Sequence, residues 1–529
     1  MDHLMQEFLY LGLTQVFKIF KTLIMKNFKI ILFSVFIIIT NSCNLDEDPI
    51  FLDETLYDSP QSAIAALNGI YESLTSYGAQ EQRIFVVNGY SGMFTTGKQG
   101  NRVNNINNNT LFSLKPVYDR DSESLWGALY TSIARCNTAI ANIATVATPS
   151  SADETTLNDI AGHAYFVRAW SYFSLVRLFG DIPLWLTLPN SENLNKAKSP
   201  AKEVYEQIIL DAKMAESLMN GDRGIGYPKQ YAANMLLAKV YMTLATNTSL
   251  QDGSTSDMGY WQMAYDEAKK VYGNYTLHSN YSELFTLQGE NSSESIFELQ
   301  VSQDAANSQM GRNYTPWKFK AGQHFGWLRV SADFYNEHVN TYPNDPRIEG
   351  TYLSEYSRAD NGNPVRVYPA NASRSRFAIA HPYLFKFAVK DKTHSNQYDS
   401  QNVIVYRYSD VLIMLAEISN ELGNGEQLGY VSEVLNRVGL TPHAGYLGSQ
   451  EDFRDAIMNE YRFELLGEGE DSHNNRRRGY NYFLNNTILK HNTNPIFKAS
   501  VDLQLGTDES QVMQLPIPLI EINTNELIN

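Results

Sequence analysis

The sequence predicts a mainly α-helical fold, built from pairs of amphipathic helices with an irregular, loop-rich subdomain inserted between them. Apolar residues recur at helical spacing in several long stretches on both sides of the insertion. Residues 276–402 lack this periodicity and carry scattered aromatic rings, Asn and Pro instead. The 529 residues are 43% hydrophobic and 19% charged, which supplies enough apolar surface for a large core.

Residues 1–42 are predicted to be an export signal. Lys26 and Lys29 precede the short apolar run from residue 30 to residue 39, which is about half of the roughly 20 residues that a membrane-spanning helix needs. A basic start, a short apolar stretch and small residues before a cleavage point are typical of a signal peptide. Met25 is an alternative start, because residues 1–24 add an apolar stretch that such a signal does not need.

Cys43 follows this signal, at the position where a bacterial lipoprotein carries its acylated cysteine. Several acyl chains on one residue would anchor the chain stably to a membrane. Residues 43–54 are polar and acidic, which is typical of a tether between lipid and folded body. The alternative is a plain secretory signal with a coincidental cysteine, because Thr40 stands where lipoprotein signals usually have Leu.

Charge and cysteine content exclude some classes of function. Residues 1–42 carry four lysines and two carboxylates, so their removal would take the net charge from −16 to −18. Such a charge repels phosphate backbones, and we expect no nucleic-acid partner. If Cys43 is acylated, Cys136 has no disulfide partner, and its place on an apolar-periodic helix predicts a small buried thiol.

The helices begin after the tether. Ser59 and Pro60 are an N-cap and a first helical residue, and the helix is expected to run towards Gly78. Residues 77–115 are rich in Gly, Asn and Thr and are predicted to be loop. Further helical runs are predicted at residues 125–140, 164–179, 204–218, 231–244, 405–422, 428–438 and 452–466.

Paired amphipathic helices of this length are typical of tetratricopeptide-like arrays, in which neighbouring pairs cover each other's apolar faces. The strict repeat consensus is missing and the spacing is irregular. We therefore expect repeats at the level of helix pairs and no regular solenoid. An ordinary helical domain with unrelated pairs is the alternative.

Three stretches, taken together, resemble the SusD/RagB family of outer-membrane nutrient-binding lipoproteins. They are AGHAYFVRAWSYFSLVRLFGDIPLW (161–185), YRYSDVLIMLAEISNEL (406–422) and NEYRFELLGEGEDSHNNRRRG (459–479), followed by LPIPLIEIN at 515–523. They occur in the family's order and at its approximate separations. Asp471 and Asn474 depart from the pattern, because many members have Arg and Asp there.

This resemblance implies one SusD-like body at residues 55–529, with a helical scaffold mainly at 55–275 and 403–470 and a ligand-side subdomain at 276–402. It implies a cell-surface protein of the outer membrane that passes an oligosaccharide to a SusC-like TonB-dependent transporter. A transporter-lid interaction subunit for non-carbohydrate cargo, such as peptides, is the alternative. A surface glycosidase is a third, weaker alternative.

The charged motifs indicate architecture rather than catalysis. Arg168 and Arg177 can bury their stems while their guanidinium groups bridge helices, and Asp410 and Glu417, two turns apart on one helix, are expected to receive them. A carboxylate pair for glycoside hydrolysis is the functional alternative, but nothing in the sequence marks a cleft around the two acids.

A second charged cluster follows a predicted helix, and we expect its charges to neutralise each other at the surface. No metal-binding, nucleophile or phosphate-loop motif accompanies it, so the sequence predicts no catalytic residue, metal or cofactor. The cluster comprises Glu464, Glu468, Glu470, Asp471, His473 and Arg476 to Arg478.

Ligand contacts are expected in two loop segments, residues 85–102 and 314–329, that combine aromatic rings with hydrogen-bonding side chains. Sugar rings stack their apolar faces on aromatic rings, while amides and charged groups bind their hydroxyls. We expect at least one of Trp317 and Trp327 to contact ligand; the alternative is that these rings fill the core. The full set of candidates is Trp317, Trp327, Tyr314, Arg329, Tyr90, Asn101 and Arg102.

Overall fold

The structure, a computed structural model, describes residues 57–96, 120–189, 193–369, 381–496 and 504–528. Thr55–Asn529 forms one compact unit. Cys43, Asn101 and Arg102 lie outside the described residues, as do the predicted signal and tether. Within the described ranges, no helix has both the length and the apolar character required to cross a membrane.

The long helices pack on one another in chain order, and the first of them begins as predicted. Ser59 caps α1 by accepting a hydrogen bond from the Ser62 backbone at 3.2 Å, and Pro60 is its first residue. The helices are α1 (Pro60–Leu74), α2 (Arg83–Gly89), α3 (Arg120–Ile143), α4 (Ser151–Phe179), α5 (Ala201–Leu218), α6 (Tyr231–Thr246), α7 (Asp257–Val271), α8 (Met310–Tyr314), α9 (Ala332–Thr341), α10 (Arg347–Thr351), α11 (Tyr408–Leu422), α12 (Gln427–Arg437), α13 (Gln450–Leu465), α14 (Asp471–Arg476), α15 (Tyr480–Phe483), α16 (Lys490–Asn492), α17 (Glu509–Val512) and α18 (Leu519–Thr524).

A continuous helical array confirms the predicted fold class. Helix α1 packs on α3, and α3, α4, α5, α6 and α7 then pack successively on their neighbours. Helix α7 packs on α11, which also contacts α12 and α13. The array therefore continues directly across the inserted segment, as expected for helix pairs that bury one another's apolar faces.

Helix α4 lies at the centre of this array. Phe166 and Trp170 lie on one side of the helix, where both rings contact Phe297, and Tyr172 lies on another, yet none of the three is more than 2% exposed. A helix that is apolar all round has to be covered all round. This explains why neighbouring helices on several sides, α1, α3 and α5, pack against it.

The inserted segment contains short strands and helices in place of long ones. An antiparallel sheet of four short strands, in the spatial order 94–96, 328–330, 383–384 and 352–353, joins it to the chain segment that precedes α3. The strands are β1 (Phe94–Thr96), β2 (Ile182–Pro183), β3 (Lys198–Ser199), β4 (Ser295–Leu299), β5 (Leu328–Val330), β6 (Tyr352–Leu353), β7 (Glu355–Ser357), β8 (Pro364–Arg366), β9 (Tyr383–Leu384) and β10 (Val403–Arg407).

Two predictions of local structure were wrong. Residues 77–89 were expected to be loop, but Tyr77–Gln82 forms a π-helical turn and α2 follows it directly. Helix α2 is buried along its whole length, so tertiary packing stabilises a helix that has no amphipathic pattern. Residues 405–407 were expected to start a helix, but they belong to β10, which pairs with β4 before α11 begins.

Candidate functional site

The sheet brings the two predicted ligand segments side by side. Strand β1, from the first segment, pairs with β5, at the end of the second, so that Thr95 lies opposite Arg329. Phe94, Leu328 and Val330 are all buried beneath this pair. The two strands thus form the buried base of the candidate site, and the loop that leads into β5 supplies its solvent-exposed surface.

Tyr90 and Tyr314 lie in the core and not on this surface. Each is 1% exposed. The Tyr90 hydroxyl donates to the Gln511 carbonyl, the Arg476 guanidinium lies 3.9 Å from its ring centre, and burial raises the pKa of Tyr90 to about 12. The Tyr314 hydroxyl accepts a hydrogen bond from Asn88 at 3.3 Å. We therefore do not include these two rings among the proposed ligand contacts.

Trp317 is the most exposed ring of the second segment. All six tryptophans lie within the described residues. Trp317, with 48% of its surface exposed, is the only one of the six whose side chain is exposed. Its backbone is held in place, because the Tyr356 hydroxyl donates to the Trp317 carbonyl at 2.7 Å. The ring is therefore presented to solvent from a fixed backbone.

Two cations and one carboxylate surround this ring. The Lys318 ammonium lies 4.7 Å and the Arg358 guanidinium 4.9 Å from the ring centre. Asp360 pairs with both, at 2.6 Å to Lys318 and 2.6 Å to Arg358. Hydrogen bonds from Arg358 and then Lys318 hold the pKa of Asp360 well below its usual range. Trp317, Lys318, Arg358 and Asp360, called the Trp317 surface below, combine an apolar ring with fixed hydrogen-bonding groups.

Tight backbone turns fix the loop that carries this surface. Gly322 has φ +68°, and a Cβ there would lie 2.1 Å from the Ser395 carbonyl oxygen. Gly326 has φ +53°, and a Cβ there would lie 2.5 Å from the Tyr383 ring. Only glycine fits both the conformation and the space at these two positions. The surface is therefore built on a closely packed loop.

The other two candidates of this segment are engaged in the structure. Trp327 is half-buried, and its ring lies 5.2 Å from that of Phe325. Arg329 donates to the Tyr383 hydroxyl at 2.7 Å and lies 4.3 Å from the Tyr383 ring centre. The structure thus places Trp317 and Trp327 on one loop but leaves only Trp317 widely open to solvent.

The interhelix ion pairs exist, but the predicted partners were wrong. Arg168 pairs with Asp211 at 2.7 Å, and Arg177 pairs with Glu470 at 2.9 Å. Asp410 receives Lys239 at 2.7 Å. Glu417 receives Arg477 and Arg478. The acids and bases bridge helices as expected. Which acid meets which base depends on tertiary packing, and helical periodicity in the sequence does not reveal that packing.

The charged cluster at residues 464–478 was expected at the surface, and this was wrong because the cluster is buried. Glu464 is 0% exposed and accepts hydrogen bonds from Arg347, Arg407 and Arg437. Burial raises its pKa, but these three guanidinium groups outweigh that effect and hold the pKa well below the usual range. The charges do neutralise one another, in the core instead of at the surface.

The described residues offer little for metal or thiol chemistry. They contain no group of three or more His, Cys, Asp or Glu side chains that could hold a metal ion. Cys136 is a free, buried thiol, as predicted, and burial raises its pKa well above the usual range. A buried, protonated thiol is a poor nucleophile.

Two family models match the chain. The first, described as starch-binding and associating with the outer membrane, matches residues 45–242, and the model of the SusD family matches residues 242–529. SusD-like protein P2 of Formosa agariphila is 26% identical over 480 residues, which cover 84% of this chain and 89% of that protein. SusD-like protein P25 of the same organism is 24% identical over 551 residues, covering 95% and 98%.

Solved structures show the same fold. A laminarin-binding SusD-like protein is similar with a TM-score of 0.68 and 21% identity, covering 89% of this chain and 99% of that one. Surface glycan-binding protein A from Bacteroides uniformis has a TM-score of 0.71 and 18% identity, with the same coverage. At these identities the likeness supports the fold of this chain and not its ligand.

Proposed function

Because the chain belongs to the SusD family, we propose that it is a non-catalytic glycan-binding protein of the cell surface that delivers its ligand to a SusC-like TonB-dependent transporter. The observation that carries this proposal is the Trp317 surface. Its half-exposed ring can stack on the apolar face of a sugar, and the charged groups beside it can bind the hydroxyls.

Two further observations support binding without catalysis. The sequence-predicted carboxylates Asp410 and Glu417 are buried and paired with cations, an arrangement that suits a structural role better than acid–base chemistry on a substrate. Of the two solved structures named above, one is described as a laminarin-binding protein and the other as a surface glycan-binding protein. The proposal extends that class of ligand to this chain.

Location at the outer membrane is proposed on the family description and on Cys43. The family model that matches residues 45–242 is described as associating with the outer membrane. Acylation of Cys43 would provide the attachment, and residues 43–54 would provide the tether. The proposed transporter partner would then lie in the same membrane.

A glycan array followed by calorimetry tests the proposal. We expect the purified chain to bind at least one oligosaccharide, and Trp317→Ala to weaken that binding about tenfold, since one aromatic contact contributes about 1.4 kcal/mol. Leu447→Ala is the matched control, because Leu447 is 67% exposed and lies outside the Trp317 surface.

The array, combined with a pull-down of the native chain from its membrane, separates the alternatives. A barrel protein recovered with the native chain, together with no binding to any array glycan, would support an interaction subunit for other cargo and overturn the proposal. Hydrolysis of an array glycan by the purified chain would instead support a glycosidase.

A further inference from the structure

A second cleft, of about 500 Å³, lies between three loop segments of the described chain. Residues 222–229 join α5 to α6, residues 273–276 follow α7, and residues 291–300 lead into and along β4. A volume of this size is within the usual range for small-ligand sites. None of its lining residues belongs to the Trp317 surface.

Two partly exposed tyrosine rings, Tyr227 and Tyr275, line this cleft, which we call the tyrosine cleft. Each ring is braced edge-on by another tyrosine. Tyr71 lies 5.4 Å from Tyr227 at 85°, and Tyr231 lies 5.8 Å from Tyr275 at 85°. Braced rings keep their orientation without a ligand, so a sugar that stacks on them need not order them first.

Exposed amide groups stand beside these rings. Asn274 donates to the Lys270 carbonyl at 2.9 Å and accepts from the Tyr231 hydroxyl at 3.0 Å. Asn291 exchanges two hydrogen bonds with Gln300, at 3.1 and 2.9 Å. A side-chain amide has two donors and two acceptor lone pairs, so each asparagine keeps capacity for a ligand hydroxyl.

Buried polar atoms lie among the lining residues. Glu298 is 4% exposed, and its Oε2 accepts from the Asn291 backbone at 3.0 Å and from Asn402 at 3.2 Å. The Ser292 hydroxyl has no hydrogen-bond partner among the described residues. Because an unpartnered buried polar atom costs free energy, a ligand hydroxyl that reached it would recover part of that cost.

The charges of the cleft are compensated. Asp222 pairs with Lys229 at 2.8 Å, so these two charges compensate each other, and burial raises the pKa of Glu298. Gly224 and Gly273 at the rim have φ of +87° and +80°, a backbone conformation that favours glycine. The cleft thus offers rings and amides beside a compensated ion pair.

From these features we infer that the tyrosine cleft is a second carbohydrate-binding site, suited to an uncharged stretch of glycan. It shares the ligand class of the proposed function but not its residues. Tyr227 and Tyr275 supply the stacking faces, and Asn274 and Asn291 bind the hydroxyls. An oligosaccharide long enough to reach both sites would gain avidity without any stronger single contact.

Saturation-transfer NMR with maltohexaose, laminarihexaose and cellohexaose tests the inference on full-length variants. The Trp317→Ala chain is expected to keep transfer to at least one hexaose. Adding Tyr275→Ala should weaken this residual binding about tenfold, whereas adding Tyr275→Phe, which keeps the ring, should leave it within about twofold. Thermal melting of each variant checks the fold, and Asn274→Ala provides a second probe if Tyr275→Ala does not fold.

Each outcome distinguishes the tyrosine cleft from the Trp317 surface or overturns both. If Trp317→Ala alone abolishes transfer from a hexaose that the unsubstituted chain binds, the tyrosine cleft is overturned and the Trp317 surface stands. If Trp317→Ala changes nothing and Tyr275→Ala removes binding, the cleft stands and Trp317 is not a contact. If no hexaose binds the unsubstituted chain, both are overturned.

Discussion

Arg407 donates to the Glu464 side chain at 2.5 Å and to its backbone carbonyl at 2.7 Å, in a part of the core where both side chains are at most 1% exposed. Arg347 reaches the other oxygen of the same carboxylate at 2.9 Å. These contacts join the end of β10 and the start of α10 to α13. The inserted segment is thereby fixed to the helical array through buried charges as well as apolar contacts.

Removing one member of this network should destabilise the fold strongly. Arg407→Met would leave Glu464 and Glu468 buried with fewer cations, and breaking a buried pair costs about 3–5 kcal/mol. Denaturant unfolding of both chains measures the difference. Lys490→Met is the control, because the Lys490 side chain is half exposed in its pair with Glu337. This substitution should lower the free energy of unfolding by no more than about 1 kcal/mol. Equal losses for the two variants would contradict the structural role of the buried network.

Acid should destabilise the protein through Glu417. Burial opposes ionisation of this carboxyl, but Arg477 and Arg478 outweigh it and lower its pKa from 4.5 to about 2. The unfolded chain therefore takes up this proton first as pH falls, so the free energy of unfolding decreases from about pH 4.5 towards pH 2. Urea unfolding at pH 7, 4 and 3 should show a shallower decrease for Glu417→Gln, which starts from a lower stability at pH 7. An identical slope for the two chains would count against this assignment.

Asp471 should have the opposite effect to Glu417 on how the free energy of unfolding depends on pH. Burial raises its pKa from 3.8 to about 7, and its Oδ2 accepts one hydrogen bond from the Gly467 backbone at 2.9 Å. The folded chain keeps this proton after the unfolded chain has lost it, so this group lowers stability as pH rises from about 4 to 7. Asp471→Asn keeps the acceptor without the charge. It should raise the free energy of unfolding at pH 8 by at least about 1 kcal/mol and change it little at pH 4. A variant that is no more stable than the parent at pH 8 would refute this prediction.

The sequence predicted correctly those structural features that depend only on residues close together in the chain. Ser59 and Pro60 mark the start of α1 because a capping side chain and a fixed φ act within one helical turn. The partner of Asp410 and the burial of Tyr90 depend on segments far along the chain, Lys239 and Gln511, which no pattern around either residue identifies. The sequence did not predict the tyrosine cleft for the same reason. Tyr227 and Tyr275 lie 48 positions apart, and the residues around each of them show no motif that links the two. Trp317 was chosen as a candidate because a tryptophan in a polar loop is itself a local signal.

Attachment through Cys43 makes a prediction that concerns location alone. Residue 43 lies outside the described residues, and the expectation depends on its position after the apolar run. Cys43→Ala should release the protein from the membrane fraction while leaving its affinity for glycan unchanged in calorimetry. Cys136→Ala is the control, because Cys136 is a buried free thiol that offers no site for acylation.

The consequence for uptake follows from effective concentration. A tether of 12 residues, the predicted length at 43–54, would span roughly 20 Å as a random coil, which would hold the binding surface close to a transporter in the same membrane. Binding to that transporter is then effectively intramolecular, so weak contacts are sufficient. Cells that carry Cys43→Ala should therefore take up the glycan poorly even though the protein still binds it. Unchanged surface display of this variant would show that Cys43 is not the anchor, and normal uptake with a released protein would show that the tether is dispensable.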